Sequence, residues 1–160
     1  MKVHLLLVLI TLLFLLPSGA SARQKQEASL RIRVIHAQQG KKHFDRRLKD
    51  LQRYLKIYQY SSYEMVIDQN LVLKPEQTRG IGLLKGKNLN VTLDTLSKEK
   101  ATLRLRLIGR SGVMLDTKVS VGRNGLFFIA GPRYRGGVLF IAVGAKYDLS
   151  PVGERVSEKP

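Results

Sequence analysis

From Leu89 onward, apolar residues recur at every second position in three successive runs: Leu89, Val91 and Leu93; Leu103, Leu105 and Leu107; then Val113, Leu115, Thr117, Val119 and Val121. Side chains of a strand point alternately to its two faces, so a period of two predicts strands with one buried and one wet face. Arg104 and Arg106 fall on the wet one. The runs are separated by turn residues at 97–100, at Arg110, Ser111 and Gly112, and at Asn124 and Gly125. Asn-Gly is the dipeptide preferred by a tight hairpin, because both central residues of a type I′ turn have positive φ. Short strands at a spacing of about ten residues predict an antiparallel meander.

Upstream, Leu30, Ile32 and Val34 alternate with Arg31 and Arg33 and give a first strand, prolonged by Ile35. Residues 65–67 and 71–73 read as two short strands with Asp68, Gln69 and Asn70 between them, and 80–84 as a weaker one. Residues 126–130 and 138–143 are the last two, on either side of a glycine-rich loop at 131–137. Between the first strand and this β-rich remainder, Phe44, Leu48, Leu51 and Leu55 recur at steps of four, three and four. On a helix that spacing places them within an arc of about 60°, with Arg46, Lys49, Arg53 and Lys56 on the opposite side. This predicts an amphipathic helix over 45–58 with a cationic back. The expected class is α+β: one N-terminal amphipathic helix packed on a mainly antiparallel β-meander, as a sandwich or small open barrel.

Lys2 and His4 precede an apolar run over 5–16, followed by Pro17, Gly19 and the small residues Ala20, Ser21 and Ala22. This is the pattern of a secretory signal peptide cleaved near Ala22. The run is short against the roughly 20 residues that span a bilayer, and no later segment has the length and apolarity of a transmembrane helix. The expected organisation is a signal peptide at 1–22, a loose segment at 23–29, a single α+β domain at 30–145 and a loose tail at 146–160, with an exported product, periplasmic or secreted. The absence of cysteine excludes a disulfide framework and thiol chemistry, so stability rests on burial of Leu, Ile and Val.

The formal charge of +16, from 28 Lys and Arg against 12 Asp and Glu, is uneven along the chain. Residues 23–58 carry 11 basic and 3 acidic side chains, 59–101 carry 6 and 5, and 102–160 carry 10 and 4. Two basic zones flanking a neutral middle point to an anionic partner. For an exported protein the candidates are lipid head groups, lipopolysaccharide or another acidic polymer of the envelope, and acidic protein, with nucleic acid a distant alternative.

Catalytic groups are sparse. His36 and His43 are the only histidines after the leader, no zinc spacing surrounds them, and neither a metal nor a cofactor is read from the sequence. Asp116, in a strand, is better matched by a cross-strand Arg than by an acid catalyst. The loop at 131–137 is not a phosphate loop, since a strand rather than a helix follows it. It does carry Arg133, Tyr134 and Arg135, two forks for a carboxylate or phosphate around a ring for an apolar or sugar surface. These three are the first candidate binding residues, and Arg46, Lys49, Arg53 and Lys56 the second group. Asn90, Val91 and Thr92 form a glycosylation triplet, set mid-strand.

The stretch from Asp116 to Gly131, DTKVSVGRNGLFFIAG, resembles the hairpin of bacterial secretins, the outer-membrane secretion channels. Pro132 stands where that family usually has a second glycine. From the basic strand to the closing Gly-Pro-Arg-Tyr-Arg-Gly-Gly-Val-Leu, the chain is also similar to small exported proteins of Gram-negative bacteria; that resemblance implies a location and no activity. The expected function is therefore a non-enzymatic exported binding module whose basic surface contacts an anionic envelope component or an acidic protein. The alternatives are a structural subunit of an envelope assembly that joins by strand pairing, and a hydrolase in which His36 or His43 meets a carboxylate.

Overall fold

A computed structural model describes residues 26–83 and 86–149. The signal peptide expected at 1–22 lies outside the described residues. Among the described residues nine strands form two sheets: β1 (Ala28–Gln38), β2 (His43–Phe44), β3 (Ser62–Leu73), β4 (Thr78–Leu83), β5 (Lys87–Leu96), β6 (Lys100–Gly109), β7 (Gly112–Gly122), β8 (Leu126–Tyr134) and β9 (Gly137–Lys146). Sheet A has the order β2-β3-β1-β9-β8, and sheet B the order β4-β5-β6-β7. All pairs are antiparallel except the short β2–β3 pair.

The main core lies between the sheets. Leu89, Val91, Leu93, Leu103, Leu105 and Leu107 from sheet B meet Leu30, Ile32, Val34, Leu139, Ile141 and Val143 from sheet A. The opposite face of sheet A carries a second cluster, in which Ile35, Ala37, Met65, Phe140 and Ala142 meet Leu48, Leu51 and Leu55. Sheet A thus has apolar neighbours on both faces, which explains why β9 reads as a nearly continuous apolar run and why β1, after alternating through Val34, goes on with Ile35 and Ala37 toward the second cluster.

The α+β expectation, a regular amphipathic helix on a β-meander, is corrected to a small β-rich domain with one short helical strap of 13 residues. The strap is a 3-10 turn at Arg46–Leu51, an α-helical turn at Gln52–Leu55 and a second 3-10 turn at Lys56–Tyr58. Tethering at both ends explains the tight winding. At the entrance, His43 and Phe44 pair with Ser62 and Tyr63, and the Asp45 N–H donates to the Tyr63 carbonyl at 3.0 Å. At the exit, the Tyr63 hydroxyl donates to the Leu55 carbonyl at 2.8 Å, and Gln59 turns left-handed at φ 53°. Leu48 and Leu51, three apart, suit a 3-10 turn as well as an α-helix. Phe44 belongs to β2 rather than to the helical stripe.

Two further expectations change. The two short strands at 65–67 and 71–73 are one strand, β3, since Asp68, Gln69 and Asn70 continue the ladder opposite Arg33, Ile32 and Arg31. The hairpin expected at Asn124-Gly125 is a passage from sheet B to sheet A: β7 and β8 are edges of different sheets, only Asn124 of that pair has positive φ, and the Gly125 N–H closes the turn on the Gly122 carbonyl at 2.8 Å. The secretin-like stretch therefore does not form a hairpin. β1 begins at Ala28, and Tyr147 and Leu149 are buried in the main core.

Candidate functional site

The outer face of sheet A, the one turned away from sheet B, is divided in two. Near the ends of β1 and β3 that join the strap it is apolar and covered. Toward Ser29 it presents Arg31 and Arg33 from β1, Asp68 and Asn70 from β3, and Gly144 and Lys146 from β9. A bulge marks the boundary. The β1–β3 register slips between Val34 and Ile35, which face Ile67 and Met65, so that Met65 and Tyr63 join the apolar half while Asp68 and Asn70 fall on the open half. With Asn124 and Gly125 the open half forms a trough of about 480 Å³, within the roughly 300–1,000 Å³ range of small-ligand clefts.

Arg33 is the most constrained side chain of the trough. It is only 5% exposed, its Nη1 donates to both carboxylate oxygens of Asp50 on the strap at 2.9 and 2.7 Å, and its buried Nε has no partner. A guanidinium withdrawn from water with one donor unanswered sits at a cost of kcal/mol order. Arg31 is held differently: its Nε and Nη2 donate to Asp68 at 2.9 and 2.7 Å in a bidentate pair. Hydrogen bonding from Arg31 holds the Asp68 carboxyl below the usual carboxylate range, against an opposing contribution from burial, and Asp68 in turn raises Arg31. The trough therefore contains three cations and one ionised carboxylate, with Lys146 exposed at its end.

The residues singled out in the sequence lie elsewhere and are not gathered into one site. Arg133 and Arg135 are exposed at the β8–β9 hairpin and line a shallow cleft with Tyr60. Tyr134 lines the same cleft but is largely buried. It is 7% exposed within the main core, edge-on to His36 at 5.3 Å, with the cationic groups of Lys87 and Arg135 at 5.4 and 5.3 Å from its ring centre. The tight hairpin sits here, at Arg135 and Gly136, both at positive φ, 46° and 76°, closed by the Tyr134–Gly137 pair. Arginine in a left-handed turn has no sequence signature comparable to Asn-Gly, which is why it was missed.

Arg46, Lys49, Arg53 and Lys56 are all exposed, but the helical wheel that grouped them does not apply. The rotation per residue changes along the strap from about 120° in 3-10 geometry to about 100° in the α turn and back. Arg53 lies against Tyr54, donating to its hydroxyl at 2.6 Å. On sheet B the outward charges are matched in place: Arg104 grips Asp116 at 2.8 and 2.9 Å, holding that carboxyl low, and Lys118 pairs with Asp94 at 2.8 Å.

His36 and Glu64 are cross-strand partners and line a small cleft with Tyr134 and Arg135. His36 uses Nε2 on the Tyr134 carbonyl at 2.9 Å, and no hydrogen bond joins it to Glu64 among the described residues. His43 lies on β2, across sheet A. Among the described residues no group of three His, Asp or Glu side chains can hold a metal ion, and no helix is long and apolar enough to cross a membrane. No protein-family model matches the chain, and neither a curated protein nor a solved structure is similar enough to count as a match.

Proposed function

We propose that this chain is an exported binding module, without bond-making chemistry of its own, that takes an anionic ligand in the trough on the outer face of sheet A. Arg33 carries the reading. A guanidinium that is 5% exposed and fixed by Asp50 lines an open polar trough together with Arg31 and Lys146. Rigid strands position such forks better than a surface loop does. The leader-like first 22 residues support the location, and the excess of basic residues supports the sign of the ligand.

The test is equilibrium titration with a short polyanion at two salt concentrations. The double variant Arg31→Gln, Lys146→Gln is expected to weaken binding about tenfold or more, since hydrogen bonds to charged groups contribute roughly 1.5–3 kcal/mol. Arg133→Gln with Arg135→Gln is expected to change it little. If the hairpin pair matters more than the trough pair, the site is misplaced. A second reading, strand pairing into an assembly, is favoured by the unpaired edge of β7, where Val113 and Met114 are exposed. Light scattering separates the two, because oligomers that persist at high salt belong to strand pairing.

A further inference from the structure

We infer that the ligand of the trough is an acidic saccharide, a chain of carboxylate-bearing sugar units, rather than a phosphate or a lipid head group; the inference rests on the anion-binding reading above. The trough is not a purely cationic cradle. Asp68 is ionised within it and occupies the Nε–Nη2 fork of Arg31, while Asn70, Asn124 and Ser29 contribute neutral donors and acceptors. A doubly charged phosphate would meet the Asp68 carboxylate at close range and, offering acceptors only, leave the amide oxygens of Asn70 and Asn124 unused. A uronate unit has one carboxylate for Arg33 or Lys146, and hydroxyls that can donate to Asp68 and exchange hydrogen bonds with Asn70 and Asn124.

The floor of the trough supports the same class. Gly144 lies on β9 opposite Arg31, and a Cβ added there would meet nothing nearer than 3.9 Å, so packing alone does not call for glycine. Glycine within a strand is otherwise a weakness that marks a bulge, a bend or a close approach of a ligand or another backbone, and both ladders of β9 run through Gly144 without a register shift. Gly125, beside it, differs: a Cβ there would lie 2.8 Å from the Gly122 carbonyl oxygen, so the turn itself demands glycine. One face of a pyranose chair can lie along the bare backbone of Gly144 with its equatorial groups reaching the polar side chains on either side.

Calorimetric titration of the purified protein with trigalacturonate, its neutral methyl ester, tripolyphosphate and phosphatidylglycerol vesicles tests this. Trigalacturonate is expected to bind at least about tenfold more tightly than each of the others, a difference the measurement reads directly. Gly144→Val should weaken it about tenfold or more with an unchanged or raised melting temperature, whereas Gly82→Val, in an equally open position of β4, should leave it unchanged. If Gly144→Val does not fold, Asn70→Ala serves in its place, and should weaken trigalacturonate but not tripolyphosphate. Should tripolyphosphate or the vesicles bind as well as trigalacturonate, and lose binding in Arg31→Gln, Lys146→Gln, the saccharide assignment fails while the anion site stands. If that double variant leaves every ligand unaffected, both fall. Undiminished binding by a folded Gly144→Val protein also overturns the assignment.

Discussion

Two halves of one sheet face, formed by the same strands β1, β3 and β9, behave oppositely. On the half beside the strap, Ile35, Met65, Phe140 and Ala142 are closed over by Leu48, Leu51 and Leu55. On the other, Arg31, Asp68, Asn70 and Lys146 remain open to solvent. Backbone geometry is common to both, so the contrast comes from side chains and from the bulge that re-phases β3 between them. Arg33 stands at the junction, buried like the first half and charged like the second. The covered half holds the strap to the sheet, and the open half is free to serve a ligand.

The contrast predicts effects of different sizes. Leu51→Ala, in the covered half, should cost about 2–5 kcal/mol by denaturant unfolding, the range for a fully buried leucine. A loss below about 1 kcal/mol would mean that the strap is not integral to the fold. At the junction, Asp50→Asn should cost about 1–3 kcal/mol, because it leaves a buried guanidinium without its carboxylate. Arg33→Met removes the charge itself and should cost less. The reverse order would place the energetic weight of the pair on the carboxylate side.

The strap entrance gives the next effect. Asp45 accepts from the Arg47 N–H at 3.0 Å and from the Met65 N–H at 3.2 Å, and is gripped by the Arg47 side chain. Hydrogen bonding from the Arg47 guanidinium, assisted by the two backbone donors, holds its carboxyl well below the usual range against opposing burial. A carboxyl with a depressed folded-state value stabilises the fold above the unfolded value near 4, and that contribution declines as pH falls below it. Asp45→Ala should therefore cost about 1–2 kcal/mol at pH 7, as for a lost N-cap. In strong acid the two proteins should converge. A gap independent of pH would assign the cost to packing instead. The smallest effect belongs to the open half: Arg31→Gln should change stability by no more than about 0.5 kcal/mol, as expected of a half-exposed ion pair.

Legibility followed the range of the interaction. The alternating leucines of β5 and β6 revealed strands and their wet faces because a period of two is local. Asp68, Gln69 and Asn70 read as a turn because three polar residues in a row usually are one. Here Arg31, 37 positions away, holds Asp68 in a ladder. The trough went unread for the same reason, since Arg31 and Arg33 looked like the wet side of an ordinary strand, and nothing nearby in sequence announced Lys146 or the bare Gly144 beside them. Arg133 and Arg135 attracted notice as a loop, but the ring between them is drawn into the core by His36 and the inner sheet face.

Sequence by itself determined that the chain is β-rich, free of cysteine and strongly basic, because composition and short periods are properties of neighbours along the chain. Tertiary structure alone decided that β7 and β8 part into different sheets, that the helical stretch is a tethered strap rather than a regular helix, and that half of one sheet face is left uncovered by the described residues. Those outcomes depend on which distant strands pair and what then lies over them, and a periodic pattern of apolar residues specifies a buried face without specifying what buries it.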